Sequence, residues 1–402
     1  MSVALLSTGE EVLTGETVDT NSAWLASSLW DVDVDVRFMC TVGDALSDLV
    51  DALGLAAARA PVVIMTGGLG PTEDDLTAEA VAMWAGVERE ESAEALAQIE
   101  ERYRARGRPL SAANRKQAIV PVGSCVLENR WGSAPGFAVE FEGTTVFCLP
   151  GVPMEMKHMF AEWVVPGLTP LNPPTLVRMR TFGLAESRLQ ATVGSLDLGD
   201  AVLGFRAHIP EVQIKLRFPA RTDSSQREAV VGRVAGVLGS ALYTVDGGDL
   251  AETVVAELST RGHTLALAES CTAGMISSWV ANVPGVSSVL MNGFVLYSNE
   301  SKVQMLGVPE SILAEHGAVS EPVARAMAEQ VRLKSGTDWG VGITGIAGPG
   351  GGSEAKPVGT VHIAVAGPSG VVHRHAVIPG DRMQIRLRAA GAVLHLLHCQ
   401  LD

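Results

Sequence analysis

The stretch His263-Thr264-Leu265-Ala266-Leu267-Ala268-Glu269-Ser270-Cys271-Thr272-Ala273-Gly274 decides the reading of this chain, because an apolar run passes through a polar turn into a helix-like segment. A strand, a turn and a helix in that order form the repeating unit of an α/β sheet. A hydroxyl at the tip of such a turn lies beside the first unpaired N–H groups of the helix, where developing negative charge is favoured. Ser270 therefore fits a nucleophile. Taken by itself the heptapeptide Ala268 to Gly274 is more often an ordinary helix N-cap, since Ser and Thr are common there too.

Two further stretches share this layout. Gly293-Phe294-Val295-Leu296-Tyr297-Ser298-Asn299-Glu300-Ser301-Lys302 reads as a strand running into a polar turn that carries a Tyr and a Lys. Gly342-Ile343-Thr344-Gly345-Ile346-Ala347-Gly348-Pro349-Gly350-Gly351-Gly352 reads as a buried strand that empties into a glycine-rich loop. Three strand ends releasing polar and glycine residues indicate one functional edge of an α/β sheet.

At 402 residues the chain is too long for one ordinary core, so two or three domains are expected. Apolar residues at 47% and charged residues at 19% describe a globular chain and exclude a disordered one. No run approaches the ~18 apolar residues of a membrane span. The first residues, Met1 to Glu11, carry no basic leader and read as a first strand, which makes the cytoplasm the expected compartment. Cys40, Cys125, Cys148, Cys271 and Cys399 form no CxxC pair, so neither a disulfide framework nor a zinc site is expected. A formal net charge of −15 argues against wrapping nucleic acid through phosphate contacts, while leaving room for a locally basic pocket that takes a small phosphorylated substrate.

From the start, residues 3 to 8 read as a strand, Asn21 to Trp30 as a helix, Val32 to Cys40 as an alternating strand and Asp44 to Arg59 as a helix. Pro61 to Met65 then reads as a buried strand and Asp74 to Ala85 as a helix, a rhythm that predicts a mostly parallel sheet covered on both faces. Between that strand and helix lies Thr66-Gly67-Gly68-Leu69-Gly70-Pro71-Thr72-Glu73-Asp74-Asp75. Its glycines allow a phosphate to approach the backbone, and Glu73, Asp74 and Asp75 either hold Mg²⁺ together with substrate oxygens or complement a helix dipole. Glu90 to Arg106 reads as a charged helix with a solvated face, and Cys125 to Asn129 and Thr144 to Leu149 as strands. The second of these ends in Pro150-Gly151-Val152-Pro153-Met154-Glu155-Met156, followed by a helix to about Trp163.

Leu168 to Pro174 is proline-rich and reads as a linker. Thr175 to about Val245 follows the order strand, helix, strand, helix, strand, with Val212 to Phe218 the clearest alternation. Nine Lys/Arg against seven Asp/Glu between Thr175 and Gly247 make this small α+β module roughly neutral. Gly236-Val237-Leu238-Gly239 has GxxG spacing but is apolar and helical in pattern, which favours packing over an RNA-gripping loop. Gly247 and Gly248 mark the next boundary. The expected architecture is thus three domains, 1–170, 171–247 and 248–402: two α/β sandwiches joined by the small module.

Taken together these residues resemble the CinA family, the competence/damage-inducible proteins, over essentially the whole chain. Asp19-Thr20-Asn21, Thr66 to Thr77 and Leu149 to Met156 look like its molybdopterin-binding domain. Glu269 to Gly274, Tyr297 to Lys302 and Gly345 to Gly352 look like its nicotinamide-nucleotide amidase domain, and the middle module is similar to its KH-like domain. The resemblance implies a C-terminal deamidase that converts nicotinamide mononucleotide to nicotinic acid mononucleotide and ammonia without a cofactor. It also implies N-terminal hydrolysis of ADP-ribose with a divalent metal, as in some relatives, and both substrates arise when NAD is broken down. Two residues depart from the family pattern: Ala273 stands where a second glycine is more common, and Glu10 where molybdopterin binders tend to have Asp.

By motif match the catalytic residues are Ser270 as nucleophile, Lys302 as base and Tyr297 as proton relay or lysine orienter, with N–H groups near Cys271 and Thr272 as oxyanion donors. A lysine of ordinary pKa ~10.4 must be lowered to roughly 7 or 8 to serve as a base. Substrate binding at this end falls to Thr272, Gly274, Thr344, Gly345, Gly348 and Arg382, with Arg386 an equal candidate for the phosphate. Thr272 and Thr344 otherwise satisfy strand-end backbone groups, either arginine is otherwise a solvated helix residue, and Cys271 reads as a small buried hydrophobe. The N-terminal site is assigned to Asp19, Asn21, Gly67, Gly68, Gly70, Thr72, Gly151 and Pro153, with Asp74 and Asp75 as metal ligands. The apolar helix Leu387 to Leu397 packs in a homodimer or in ordinary core. The rival readings are a non-catalytic accessory in competence or recombination with a recombination-protein partner, against which the intact Ser270, Tyr297 and Lys302 count, and a molybdopterin-binding protein.

Overall fold

The computed structural model describes residues 1–168 and 173–401. It divides into two compact units, Met1–Pro174 and Thr175–Asp402. The linker expected over Leu168 to Pro174 falls largely on residues 169–172 and, like the boundary at 170, lies outside the described residues.

The first unit is built on a six-stranded sheet. Its strands are β1 (Ser2–Thr8), β2 (Asp35–Val42), β3 (Val62–Thr66), β6 (Cys125–Leu127), β7 (Gly136–Phe141) and β8 (Thr144–Leu149), in the order β2-β1-β3-β8-β7-β6. The four strands from β2 to β8 are parallel, whereas β7 and β6 run antiparallel beside them. Strand alternation sorts the core into two layers. Val3, Leu5, Val62 and Ile64 face α1 (Thr20–Asp31) and the helix that begins at Pro153. Ala4, Leu6, Val63 and Met65 face α2 (Leu46–Ala57) and α3 (Thr77–Ala85). Both faces are therefore covered.

Three local readings need correction in this unit. β7 has no counterpart in the sequence reading, because Gly136 to Phe141 forms a hairpin with β8 instead of the crossover that the earlier rhythm suggests. The third helix starts at Thr77 and not at Asp74, so the acidic trio lies in a turn before the helix and does not sit in its first turn. The charged segment from Glu90 splits into β4 (Arg89–Glu91), which pairs with β5 (Ile119–Pro121), and α4 (Ala93–Ala105), which buries Ala95 and Ile99 in a small satellite core.

The second unit contains two sheets. β9 (Thr175–Phe182), β10 (Val202–His208), β11 (Glu211–Phe218) and β12 (Leu242–Val245) form an antiparallel sheet in the order β10-β11-β9-β12. β10 is an additional strand relative to the sequence reading; its burial is low throughout, so it carries little apolar alternation. The helices α5 (Glu186–Val193) and α6 (Ser224–Leu238) cover this sheet through Leu189, Val193, Val230, Val234 and Leu238. Leu238, inside the GxxG run, is thus a core residue.

The larger sheet consists of β13 (Leu265–Glu269), β14 (Leu290–Val295), β15 (Trp339–Gly345), β16 (Thr360–Gly367) and β17 (Gly370–Val377), ordered β14-β13-β15-β16-β17. β14, β13 and β15 are parallel, so their carboxyl ends come out on one edge. One face packs on α7 (Leu250–Arg261), α8 (Met275–Ala281) and α10 (Arg382–Leu401). The other packs on α9 (Glu321–Ser335) through small residues: Ala324 and Ala328 meet Ala364 and Ala366, and a side chain at Gly342 would strike the Ala324 carbonyl. Leu394 and Leu397 of α10 are fully buried in the unit's own core, so of the two readings of this helix the stripe is ordinary core. No helix among the described residues is long and apolar enough to cross a membrane.

Candidate active site

β13 ends at Glu269, whose side chain is 0% exposed and folds back onto the start of α8. Its Oε2 accepts from the Ile276 N–H at 3.1 Å, and its Oε1 accepts from the Ser277 N–H at 2.8 Å and the Ser277 hydroxyl at 2.7 Å. A buried carboxylate is stable only with such donors. The first helical N–H groups therefore serve Glu269, and the expectation that they face a substrate anion is corrected.

Ser270 begins the turn, only 8% exposed. Its N–H donates to the Ile343 carbonyl at 3.1 Å and its carbonyl accepts from the Ala273 N–H at 3.1 Å. The N-cap position of α8 belongs to Gly274, at φ 86°, with no side-chain cap, so Ser270 is not a capping residue. Among the described main-chain bonds the N–H groups of Cys271 and Thr272 have no acceptor. Burial pushes the Cys271 thiol up to about 12, against the weaker pull of those two N–H groups, which keeps it protonated at neutral pH.

Lys302 opens the helical segment Lys302–Leu306, beyond the turn that follows β14, and is 1% exposed. Its ammonium donates to the carbonyls of Leu296 at 2.9 Å, Ser298 at 3.2 Å and Tyr297 at 3.4 Å. Burial holds it below the usual lysine range, with Glu300 among the groups that oppose the shift. No hydrogen bond joins Lys302 to Ser270 among those described. Tyr297 is 60% exposed, and its hydroxyl accepts from Arg382 Nη2 at 2.9 Å; it touches the lysine only through its main-chain carbonyl.

Arg382 and Arg386 lie in the first turns of α10 and tie the three strand ends together. Arg382 Nη1 donates to the Gly348 carbonyl at 2.6 Å, and Arg386 Nη2 to the Thr272 carbonyl at 2.8 Å. Thr344 does not face an open site, because its hydroxyl donates to the Ala318 carbonyl at 2.8 Å. Gly345 lies close to the turn, since a side chain there would come within 3.2 Å of Cys271 Sγ. The Thr272 hydroxyl and Arg386 Nε are buried without a partner. Unsatisfied buried groups are rare enough to mark the place where a ligand or water completes the network.

The first unit carries a separate cavity of about 500 Å³ at the carboxyl ends of its parallel strands. Gly67, Gly68, Gly70, Thr72, Gly151, Asp74 and Asp75 line it. Gly67, at φ 100°, has no room for a side chain, which would lie 2.5 Å from the Thr8 carbonyl. Asp19, Asn21 and Pro153 are scaffold and not wall. Asp19 caps α1 by accepting from the Ser22 N–H at 2.8 Å, Asn21 Nδ2 donates to the Gly151 carbonyl at 2.7 Å, and Pro153 opens a helix. Asp75 Oδ2 accepts from the Thr72 N–H at 2.8 Å and the Thr72 hydroxyl at 2.5 Å, so it braces the loop; Asp74 is exposed. Among the described residues no group of three or more His, Cys, Asp or Glu is placed to hold a metal ion.

Several site residues have no readable signal in the sequence. Glu269 looks like one acidic residue in a motif, and its capping role depends on the chain reversing over it. Lys116, which donates to the carbonyls of Thr72 and Glu73, and Lys356, which donates to the Val319 carbonyl at 2.8 Å, lie far along the chain from the loops they hold. Thr8 reaches the N-terminal cavity from the end of β1, Asp44 from the loop after β2 and Glu155 from the helix that begins at Pro153.

Comparison with known proteins places this chain among close relatives. Residues 248–401 match the family described as the CinA C-terminal domain, and residues 4–170 the family described as a probable molybdopterin binding domain. A CinA-like protein of Anaeromyxobacter dehalogenans is 45% identical over 408 residues, covering 100% of both chains. Another of Geotalea daltonii is 41% identical, covering 100% of this chain and 99% of its own. The nicotinamide-nucleotide amidohydrolase PncC of Shewanella oneidensis is 38% identical, covering 100% of this chain and 96% of its own.

Ala273 adopts φ 49°, a left-handed conformation that costs an L-residue about 1 kcal/mol. Ala273→Gly removes that cost and adds unfolded-chain entropy, for a net gain of about 0.5 kcal/mol. Differential scanning calorimetry is expected to show a higher melting temperature for the transition of the second unit. A lower one would show that the methyl group makes a contact worth more than the strain.

Proposed function

The chain belongs to the CinA family, and on that premise we propose that its C-terminal domain hydrolyses the carboxamide of nicotinamide mononucleotide to nicotinic acid mononucleotide and ammonia. The observation that carries this reading is a buried serine turn, with two N–H groups that have no main-chain acceptor, together with a fully buried lysine in the helical segment that follows the neighbouring strand. The similarity to the Shewanella amidohydrolase supports the same substrate.

In this mechanism the Ser270 oxygen attacks the carboxamide carbon while Lys302, in its neutral form, takes the hydroxyl proton. The oxyanion is held by the Cys271 and Thr272 N–H groups, and ammonia leaves with the proton carried by Lys302. Water, deprotonated by Lys302, then releases the acid and restores the serine. Arg382 holds the glycine-rich loop Gly345 to Gly352 against Tyr297 and so shapes the nucleotide site. For this chemistry the neutral amine of Lys302 must reach the Ser270 hydroxyl, and its longest carbonyl contact, that to Tyr297, is the weakest of the three that hold it.

We further propose that the N-terminal cavity hydrolyses ADP-ribose. Glu11, Asp44, Asp74, Asp75 and Glu155 line it, and such a wall repels a bare pyrophosphate. A divalent cation bound by Asp74, by Asp75 and by substrate oxygens would neutralise that charge, since Mg²⁺ takes one or two carboxylates plus phosphate oxygens. Thr72 and the glycine loop would then position the pyrophosphate.

Two measurements test these assignments. Ammonia release from nicotinamide mononucleotide without added metal is expected for the wild type and absent in Ser270→Ala with its melting temperature kept. In the wild type kcat/KM should fall as pH drops through the lowered pKa of Lys302, because only the neutral amine accepts the proton. Turnover that persists in Ser270→Ala would eliminate the serine mechanism. Cleavage of ADP-ribose is expected to stop with a chelator and to need more metal in Asp74→Asn, while Asp75→Asn loses both cleavage and the loop brace. Cleavage indifferent to the chelator would remove the metal from the proposal.

A further inference from the structure

Of the side-chain hydrogen bonds described, one reaches the main chain between Ser270 and Gly274: Arg386 Nη2 donates to the Thr272 carbonyl at 2.8 Å. Inside the turn the Ser270 carbonyl accepts from the Ala273 N–H at 3.1 Å, and the Thr272 carbonyl accepts a second bond from the Met275 N–H at 3.2 Å. The peptide group between Thr272 and Ala273 is therefore held at both ends, its N–H by the turn and its oxygen by the arginine. It leads into the left-handed pair Ala273 and Gly274, at φ 49° and 86°, and an L-residue persists in that region only where its surroundings over-determine it.

The guanidinium is turned into the protein. Its Nε is buried without a partner, and so is the hydroxyl of the Thr272 whose carbonyl it grips. Burial pushes the Cys271 thiol up, and the Arg386 charge is near enough to pull weakly the other way. Arg382, one turn earlier on the same side of α10, is exposed and bonds instead to the Gly348 carbonyl at 2.6 Å and the Tyr297 hydroxyl at 2.9 Å. Of the two arginines open to a nucleotide phosphate, Arg386 is the one committed to the serine turn.

We propose that Arg386 is a positioning residue for the amidase reaction: by fixing the peptide between Thr272 and Ala273 it aims the Cys271 and Thr272 N–H groups at the oxyanion, and it takes no part in binding the phosphate. Those two N–H groups have no main-chain acceptor, so their direction is set by the conformation of the turn. Oxyanion donors act only if they are aimed before the charge develops, and a displacement of about 1 Å costs on the order of a hundredfold in rate. The oxyanion role rests on the amidase reading; the clamp on the turn does not.

The test uses the full chain with nicotinamide mononucleotide and with nicotinamide riboside, which carries the same carboxamide and no phosphate. In Arg386→Met, or in Arg386→Gln should the apolar variant not fold, kcat is expected to fall about a hundredfold for both substrates while KM stays within about twofold. Amide exchange followed by NMR is expected to quicken at Ala273 by about tenfold or more and to stay unchanged at Ile276 and Ser277, which Glu269 holds. A raised KM with kcat kept, or a loss confined to the mononucleotide, would make Arg386 a phosphate ligand and overturn the proposal. Unchanged exchange at Ala273 would overturn it whatever the kinetics. Should the wild type turn over neither substrate, the amidase reading falls and the oxyanion role with it, while exchange at Ala273 still decides whether Arg386 holds the turn.

Discussion

The buried carboxylate of Glu269 is the constraint on which the C-terminal site depends. A charge with no solvent contact must be surrounded by donors, and the nearest are the two N–H groups and the hydroxyl at the start of α8. To bring them there the chain must reverse within Ser270 to Gly274, which puts Ala273 and Gly274 at positive φ. The reversal leaves the N–H groups of Cys271 and Thr272 with no main-chain acceptor. The donors available to an oxyanion are thus those of the turn, because the carboxylate has taken those of the helix.

The first unit uses the same economy of parts at its own strand ends. Asp75 closes on Thr72, Asp44 accepts from the Thr8 hydroxyl at 3.2 Å and the Glu10 N–H at 3.1 Å, and the Thr77 hydroxyl donates to the Gly67 carbonyl at 2.8 Å. Each polar side chain fixes a loop whose glycines could otherwise adopt many conformations. The result is a cavity whose shape is set by hydrogen bonds inside the wall, with Asp74, Glu11 and the glycine backbone left to face the interior.

The parallel strands and their loops were legible because a buried strand with a glycine-rich exit has few other readings. β7 and β10 were not: β7 carries no clean alternation of buried and exposed residues and β10 is barely buried, so neither leaves a periodic trace. Side-chain roles were harder than positions. Ser270 follows β13 directly and Lys302 opens the helical segment beyond β14, but nothing in Thr344 announces that its hydroxyl is engaged by Ala318, nor in Asp19 that it caps a helix. Lys116 and Lys356 act on loops tens of residues away, a relation that only the folded chain establishes. Local pattern reports which residues leave a strand end; tertiary contact decides what they then bind.

Lys302 shows how burial and hydrogen bonding pull in opposite directions at such a site. Removing the ammonium from water favours the neutral amine, which a general base needs. Three carbonyls within hydrogen-bond range favour the charged form instead, because only an ammonium has three protons to give. Burial holds the amine below the usual lysine range. Loss of one proton frees one lone pair and makes one carbonyl redundant, and the contact to Tyr297, at 3.4 Å, is the weakest of the three. The contact to Tyr297 is thus the one most readily given up when the amine loses a proton, and the hydroxyl of the same residue is held by Arg382 from the glycine-loop side.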